Sequence, residues 1–289
     1  MNFLHCELRP CLLAALSVTA LLAFSPAPQA QSAKARKRPA EQKDAVKDRL
    51  LSLDVNSKGP PALAADAVVQ KMMETSARRS AELRGYRTTR TYHLQYRGFL
   101  GTRDAGMKVI STYTAPDHLD FSIVSENGSK LLLNRVLLKL LDSERDAFRN
   151  PSQIELSPAN YRFASQGIDH VTDTDPCYLL DVQPLKENKF LYHGKVWIDA
   201  HDFALARLEG QPAKSPSFWI KDTQIDSTWG KVDGFWLIQH TRSTSHVRLG
   251  GMATLTIDYT DYQISGGGHT QGHGQHPQLP DPSSVTPQR

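Results

Sequence analysis

The side chains best suited to chemistry fall in three places in this sequence. His269, His273 and His276 punctuate a Gly-rich C-terminal stretch. Neutral imidazoles are good ligands for zinc, copper or nickel, but no cysteine or carboxylate cluster joins them, and a polar segment gives up ordering entropy to bind. Asp199, His201 and Asp202 form a D-A-H-D group between two apolar runs. An acid–His set can do acid–base work, yet aspartates that hydrogen-bond nearby backbone are also what a tight turn needs. Cys177 lies in DPCYLLDV, a strand-like run. A small buried thiol is expected there rather than a nucleophile. No G-x-S-x-G, H-E-x-x-H, P-loop or strand-borne G-x-G-x-x-G occurs, so the common catalytic signatures are missing. Asn127-Gly128-Ser129 fits a glycosylation sequon, but its turn chemistry suffices to explain it. The expectation is a binder or carrier rather than an enzyme, with no catalytic residue, no metal and no cofactor; an enzyme of a class that these residues do not name is an alternative.

The segments around these residues set their context. Arg9, the apolar run Leu12 to Phe24 and the small residues of SPAPQAQSA have the layout of a secretory signal peptide. The run is shorter than the roughly 20 apolar residues that span a bilayer. Residues 1–30 are read as the leader, with cleavage after Ala30 or after Ser32. Cys6 and Cys11 precede or open the apolar run, so no lipobox follows it. The expected product is an exported, unlipidated periplasmic protein with one cysteine, Cys177, which alone cannot make an intramolecular disulfide.

Residues 31–61 carry eight Lys/Arg against four acids and end in Gly59-Pro60-Pro61, a basic flexible linker. The formal charge of the whole chain is +4, so the rest is neutral and no nucleic-acid partner is implied. Residues 266–289 are rich in Gly, Pro, His and Gln and have almost nothing to bury. One domain, 62–265, lies between.

Within the domain, Val68, Val69, Met72 and Met73 make the apolar stripe of a helix over about Ala64 to Leu83. Strands follow: YRTTRTYHLQYRG, GMKVISTYTA and HLDFSIVSE. Asn127-Gly128 predicts a hairpin between SIVSE and KLLLN. Leu137, Leu140, Leu141 and Phe148 predict a second helix, Asn134 to Phe148, stopped by Asn150-Pro151. The C-terminal half reads as a meander, turning at Ala200-His201-Asp202, at Asp233-Gly234 and at Gly250-Gly251. Short turns force antiparallel pairing. The fold class is mainly β (α+β), with a strongly curved antiparallel sheet wrapped around helices.

Three stretches carry a family resemblance: AADAVVQKMMETSARRSAELRGY, GKVWIDAHDFALARLEGQ and GFWLIQHTRSTSHVRLGGMATLTIDYTDYQI. In order and spacing the chain resembles the LolA/LolB/RseB-like superfamily of periplasmic lipoprotein-sorting and envelope-stress proteins, over roughly Ala62 to Ile264. The resemblance implies an unclosed β-barrel with lid helices, and an apolar cavity for acyl chains of a lipid or lipoprotein. It also implies an inner- or outer-membrane protein as a possible partner, as in an envelope-stress regulatory or scaffold module. In that family's carrier an arginine holds the lid closed; Arg87, Arg90 and Arg97 are open candidates here. The missing lipobox, the basic arm and the His-rich tail depart from the family's simple pattern.

The more apolar phase of each strand nominates a cavity lining. From the sheet come Tyr92, Leu94, Tyr96, Phe121, Ile123, Val196, Ile198, Phe218, Ile220, Phe235, Leu237, Leu255 and Ile257; Val68, Met72, Leu137, Leu140 and Leu141 oppose them from the helices. The second helix couples leucines to the charged end Asp142-Ser143-Glu144-Arg145-Asp146. That pattern suits a lid whose leucines cover the cavity while its polar end faces water.

Overall fold

The computed structural model describes residues 60–266, apart from 99–100, 150, 172–174, 216–217, 219 and 249. The leader 1–30, the linker as far as residue 59 and the tail from residue 267 lie outside the described residues. A helix, α1 (Ala65–Glu82), buries Val68, Val69, Met72 and Ser76 along one stripe. Ten strands follow: β1 (Gly85–Gly98), β2 (Gly101–Thr114), β3 (His118–Gly128), β4 (Tyr161–His170), β5 (Pro176–Pro184), β6 (Tyr192–Asp199), β7 (Leu205–Pro212), β8 (Ile220–Val232), β9 (Phe235–Val247) and β10 (Met252–Ser265). None of the described helices is long and apolar enough to cross a membrane.

All ten strands form one sheet in the order β3-β2-β1-β10-β9-β8-β7-β6-β5-β4, with antiparallel ladders throughout. β3 and β4 are its two edges and do not pair, so the barrel is unclosed. The turns explain the meander. Asp233 and Gly234 both have positive φ, 48° and 87°, the requirement of a type I′ hairpin. At the β6–β7 turn the Asp199 carboxylate accepts the backbone N–H groups of His201 and Asp202 at 2.9 and 2.6 Å. The D-A-H-D group is thus turn chemistry.

Because consecutive strands β3 and β4 stand at opposite edges, the chain between them must cross the mouth of the curved sheet. It does so as a helix in three parts: α2 (Lys130–Leu132), a π-helical turn (Leu133–Leu137) and α3 (Leu138–Arg149). This corrects the expected hairpin at Asn127-Gly128. Gly128 does take positive φ, 83°, but it turns the chain out of β3 and into a helix. KLLLN continues a helical apolar run and has no strand to pair with. The helix therefore begins four residues before the expected Asn134. The charged end is corrected too. Asp142 and Asp146 face solvent, whereas Glu144 is turned inward and is 1 % exposed.

A candidate binding face inside the half-barrel

Along β1 the inward phase runs through three apolar clusters. Tyr92 and Leu94 belong to the large central one, together with Val68, Met72, Phe121, Leu137, Leu140, Leu141, Val196, Ile198, Leu255 and Ile257. Twelve of the residues nominated from sequence thus share one core, and the leucines of the 130–149 helix sit in it. Leu132, Val136, Leu137 and Leu140 are fully buried. Tyr96 and Ile220 instead form a small cluster with Val247 and Ala253. Phe235 and Leu237 join Leu83, Tyr86, Tyr113 and Phe148. Two nominations fail outright. Ile123 is 45 % exposed, because β3 is an edge strand whose residues are exposed beyond Phe121. Phe218 is 73 % exposed; it precedes β8, which starts at Ile220, and carries Arg248 over its ring at 5.1 Å.

At the centre of this apolar face lies a charge that hydrophobic phase could not reveal. Of the three candidate arginines, Arg87 and Arg97 point to solvent and Arg90 points inward. Arg90 Nη1 donates to Glu144 Oε2 of α3 at 2.6 Å, with both side chains 1 % exposed. The guanidinium packs over Phe121 and Tyr259, 5.0 and 5.1 Å from their ring centroids, and Arg145 covers Phe121 from the helix at 5.1 Å. The pair is only half satisfied. Among the described residues, Arg90 Nε, Glu144 Oε1 and the buried hydroxyls of Tyr92 and Tyr259 have no hydrogen-bond partner. Burial raises the Glu144 carboxyl above its ordinary range, against the lowering effect of Arg90. Burial also pushes the Tyr92 and Tyr259 phenols up, so both stay neutral O–H groups.

Along β8 and β9 part of the inward phase carries hydroxyls among apolar residues such as Ile225 and Trp229. Thr223, Ser227, Thr241, Ser243 and Ser245 are all buried. Thr223 bonds Ser245 at 2.8 Å and Ser227 bonds Thr241 at 3.0 Å, whereas the Ser243 hydroxyl is unpartnered. α1 is fastened at its C-terminal half to the β6–β7 hairpin, where Arg79 Nη1 donates to the Asp202 carbonyl at 2.9 Å. Asp202 in turn accepts Lys231 Nζ at 2.7 Å and Trp236 Nε1 at 2.8 Å. A crevice of about 280 Å³ beside the end of α3, lined by Asp146, Ala147, Gln153, Ile154 and Phe190, falls just short of the roughly 300–1,000 Å³ of small-molecule sites. On the concave face, the helix leucines Leu132, Leu133, Leu137, Leu140 and Leu141 pack into the central cluster.

The other chemical candidates resolve simply. Cys177 is buried beside Trp197 and Ala206, and burial, with Asp199 adding to it, pushes its thiol up to about 12. No group of three or more His, Cys, Asp or Glu among the described residues is placed to hold a metal. The three tail histidines lie outside the described residues.

With this geometry in view, the chain can be set beside known proteins. No family model matches it, and no curated protein does. Solved structures do. A DUF1329 family protein from Desulfovibrio piger aligns with TM-score 0.39 and 13 % identity over 70 % of this chain and 93 % of its own. A putative outer membrane lipoprotein-sorting protein domain from Vibrio parahaemolyticus gives 0.37 and 11 % over 68 % and 93 %. A LolA superfamily protein from Nitrosomonas europaea gives 0.30 and 10 % over 71 % and 94 %. The superfamily that the sequence resembles is thus among the structural neighbours. MucB, solved in complex with MucA(peri), aligns at 0.22 and 8 %. At these identities and scores, none of the likenesses bears on what the chain does.

Proposed function

We propose that the chain is a non-enzymatic periplasmic binder of acyl chains, of a lipid or a lipoprotein, acting as a carrier. The acyl chain occupies the concave face when the 130–149 helix moves aside. The observation that carries this reading is the helix itself, an apolar plug strung across the mouth and pinned to the sheet by a buried ion pair. A buried pair adds little net stability compared with well-packed apolar residues, and its best-attested use is to set register or to switch. The magnitudes allow exchange. Leu132, Leu133, Leu137, Leu140 and Leu141 are buried, which at about 1.5–3 kcal/mol per leucine stabilises the closed state by about 7–15 kcal/mol. An acyl chain of about 14 methylenes at ~0.8 kcal/mol each contributes about 11 kcal/mol on entering the same face. The two are close enough for reversible capture. The π-helical turn at Leu133–Leu137 supports the same idea, since such turns recur at functional sites. Native mass spectrometry of the protein incubated with acylated peptide and with free amphiphile tests it. Bound lipid is expected, and a protein that cannot be loaded with any acyl compound refutes the carrier reading.

A second reading is favoured by the edges. β3 and β4 both end the sheet and expose Ile123 and Val124 on one side and Ile168 on the other. Free edges accept an added strand, so a regulatory or scaffold module could dock a membrane-protein segment there. It predicts a stable partner whose binding responds to acyl ligand; a partner-free pull-down under native conditions removes it.

A further inference from the structure

We infer that Glu144 is an internal stand-in for a ligand's anionic group, so that the compounds this face selects are acyl chains ending in a carboxylate or a phosphate. The inference rests on the acyl-binding reading above and specifies the head that such a chain carries.

Arg–carboxylate contacts are frequently forked, with two parallel hydrogen bonds. Here Arg90 and Glu144 meet through a single bond, Nη1 to Oε2 at 2.6 Å. That leaves Arg90 Nε and Glu144 Oε1 buried and unpaired. A carboxylate fixed to a helix cannot adjust to its arginine, whereas the mobile end of a ligand can. Two further donors stand by. The hydroxyls of Tyr92, two residues along β1, and of Tyr259, paired with Arg90 across the β1–β10 ladder, are buried without partners. A permanent cation, a spare guanidinium donor and two neutral phenols make a donor set for an anion, and they hold a methyl ester or an alcohol more weakly because those oxygens accept hydrogen bonds without offsetting the charge. The walls are apolar and aromatic: Phe121 and Tyr259 flank the guanidinium. Leu94 and Leu255, registered opposite each other, continue the lining along the strands for the acyl chain. When α3 withdraws, Glu144 leaves with it and reaches water. Arg90 stays, because its strand is third from the β3 edge and hydrogen-bonded on both sides. An acyl chain that fills the opened face buries Arg90 again, and an unpaired buried cation is strongly unfavourable, so the occupied state calls for an anion to replace the one removed.

The test compares palmitate, palmityl phosphate, methyl palmitate and palmityl alcohol on the full chain by native mass spectrometry and by equilibrium titration. The wild type is expected to bind one or both anionic compounds at least about tenfold more tightly than the neutral ones, the scale of one charge-assisted hydrogen bond. The two anionic arms separate a carboxylate-type from a phosphate-type ligand. Glu144→Gln removes the competing charge and should tighten anion binding about tenfold further while changing neutral binding less. The double variant Arg90→Met/Glu144→Leu keeps an apolar interior and is expected to fold; it should bind all four compounds alike. Equal affinity of the wild type for charged and neutral chains overturns the inference and leaves acyl binding standing. An anion preference that survives in the double variant also overturns it. Failure of the wild type and the double variant to bind any of the four refutes the acyl reading itself.

Discussion

Arg90→Met separates a latch from an ordinary core residue. The substitution keeps an unbranched apolar stem between Phe121 and Tyr259 but leaves Glu144 buried without its cation. Removing one partner of a buried pair is worth about 3–5 kcal/mol of destabilisation, a large share of the ~5–15 kcal/mol that holds most domains together. Exchanging both partners for apolar groups should recover most of it. Urea titration followed by the fluorescence of the buried Trp197 and Trp229 measures each variant, and the double-mutant cycle isolates the pair. The loss must also depend on pH. Burial already raises the Glu144 carboxyl above its ordinary 4.5, and Arg90 is the chief group lowering it. In Arg90→Met the folded-state value therefore rises further, while the unfolded value stays put. A carboxyl that titrates higher when folded favours folding fully below its unfolded pKa and loses that contribution as pH climbs through the folded pKa. The deficit of Arg90→Met against wild type should be smallest near pH 4.5 and grow toward neutral pH. A deficit below about 1 kcal/mol at neutral pH, typical of an exposed pair, or one that shrinks as pH rises, would show that Glu144 is not sealed against Arg90.

Leu140→Glu places a carboxylate in the central cluster, where an unpaired charge costs several kcal/mol; the helix should be expelled, abolishing amphiphile capture in a protein that still melts cooperatively. Outright unfolding by circular dichroism would make the helix structural rather than a gate. Cys177→Ser should cost no more than the ~1–3 kcal/mol of a buried polar misfit, with amphiphile binding intact in titration. In the native wild type the thiol should resist alkylation at pH 8 and react in urea; rapid native labelling contradicts its burial. Limited proteolysis should yield a fragment near 62–265 that retains cooperative melting, and loss of that melting on trimming would place the domain boundaries elsewhere.

Much of the architecture was legible because strands and turns carry local signals. Asp233-Gly234 demanded positive φ, and α1 announced itself through Val68, Val69 and Met72. β4 was not legible: YRFASQGIDH is an edge strand with little apolar alternation, so no burial pattern marks it. The turn at Asn127-Gly128 was visible, but its outcome was decided by the leucine run that follows. In the site, apolar phase found the central cluster but missed its electrostatic heart, since a search for hydrophobic positions passes over an arginine and a glutamate 54 residues apart. The one sequence signal for Glu144 was its place at the inward spacing of Leu137, Leu140 and Leu141. Phase also overreached at Ile123, where an edge strand runs past its cover, and at Phe218, which lies before the strand begins.

The register of the sheet bears on the order in which the chain folds. β1 pairs with β10, Gly85 standing opposite Ser265, so the third strand from one edge waits for the last strand synthesised. Until β10 pairs, β1–β3 and β4–β9 are two separate sheets, each with an extra open edge. A chain at that stage holds Arg90, Tyr92 and Leu94 on an unpaired rim. Pairings this distant in sequence form late and leave strand edges open to wrong neighbours in the interval. The final fourteen residues of the domain act as its zipper, and the 130–149 helix can acquire its frame only after they pair.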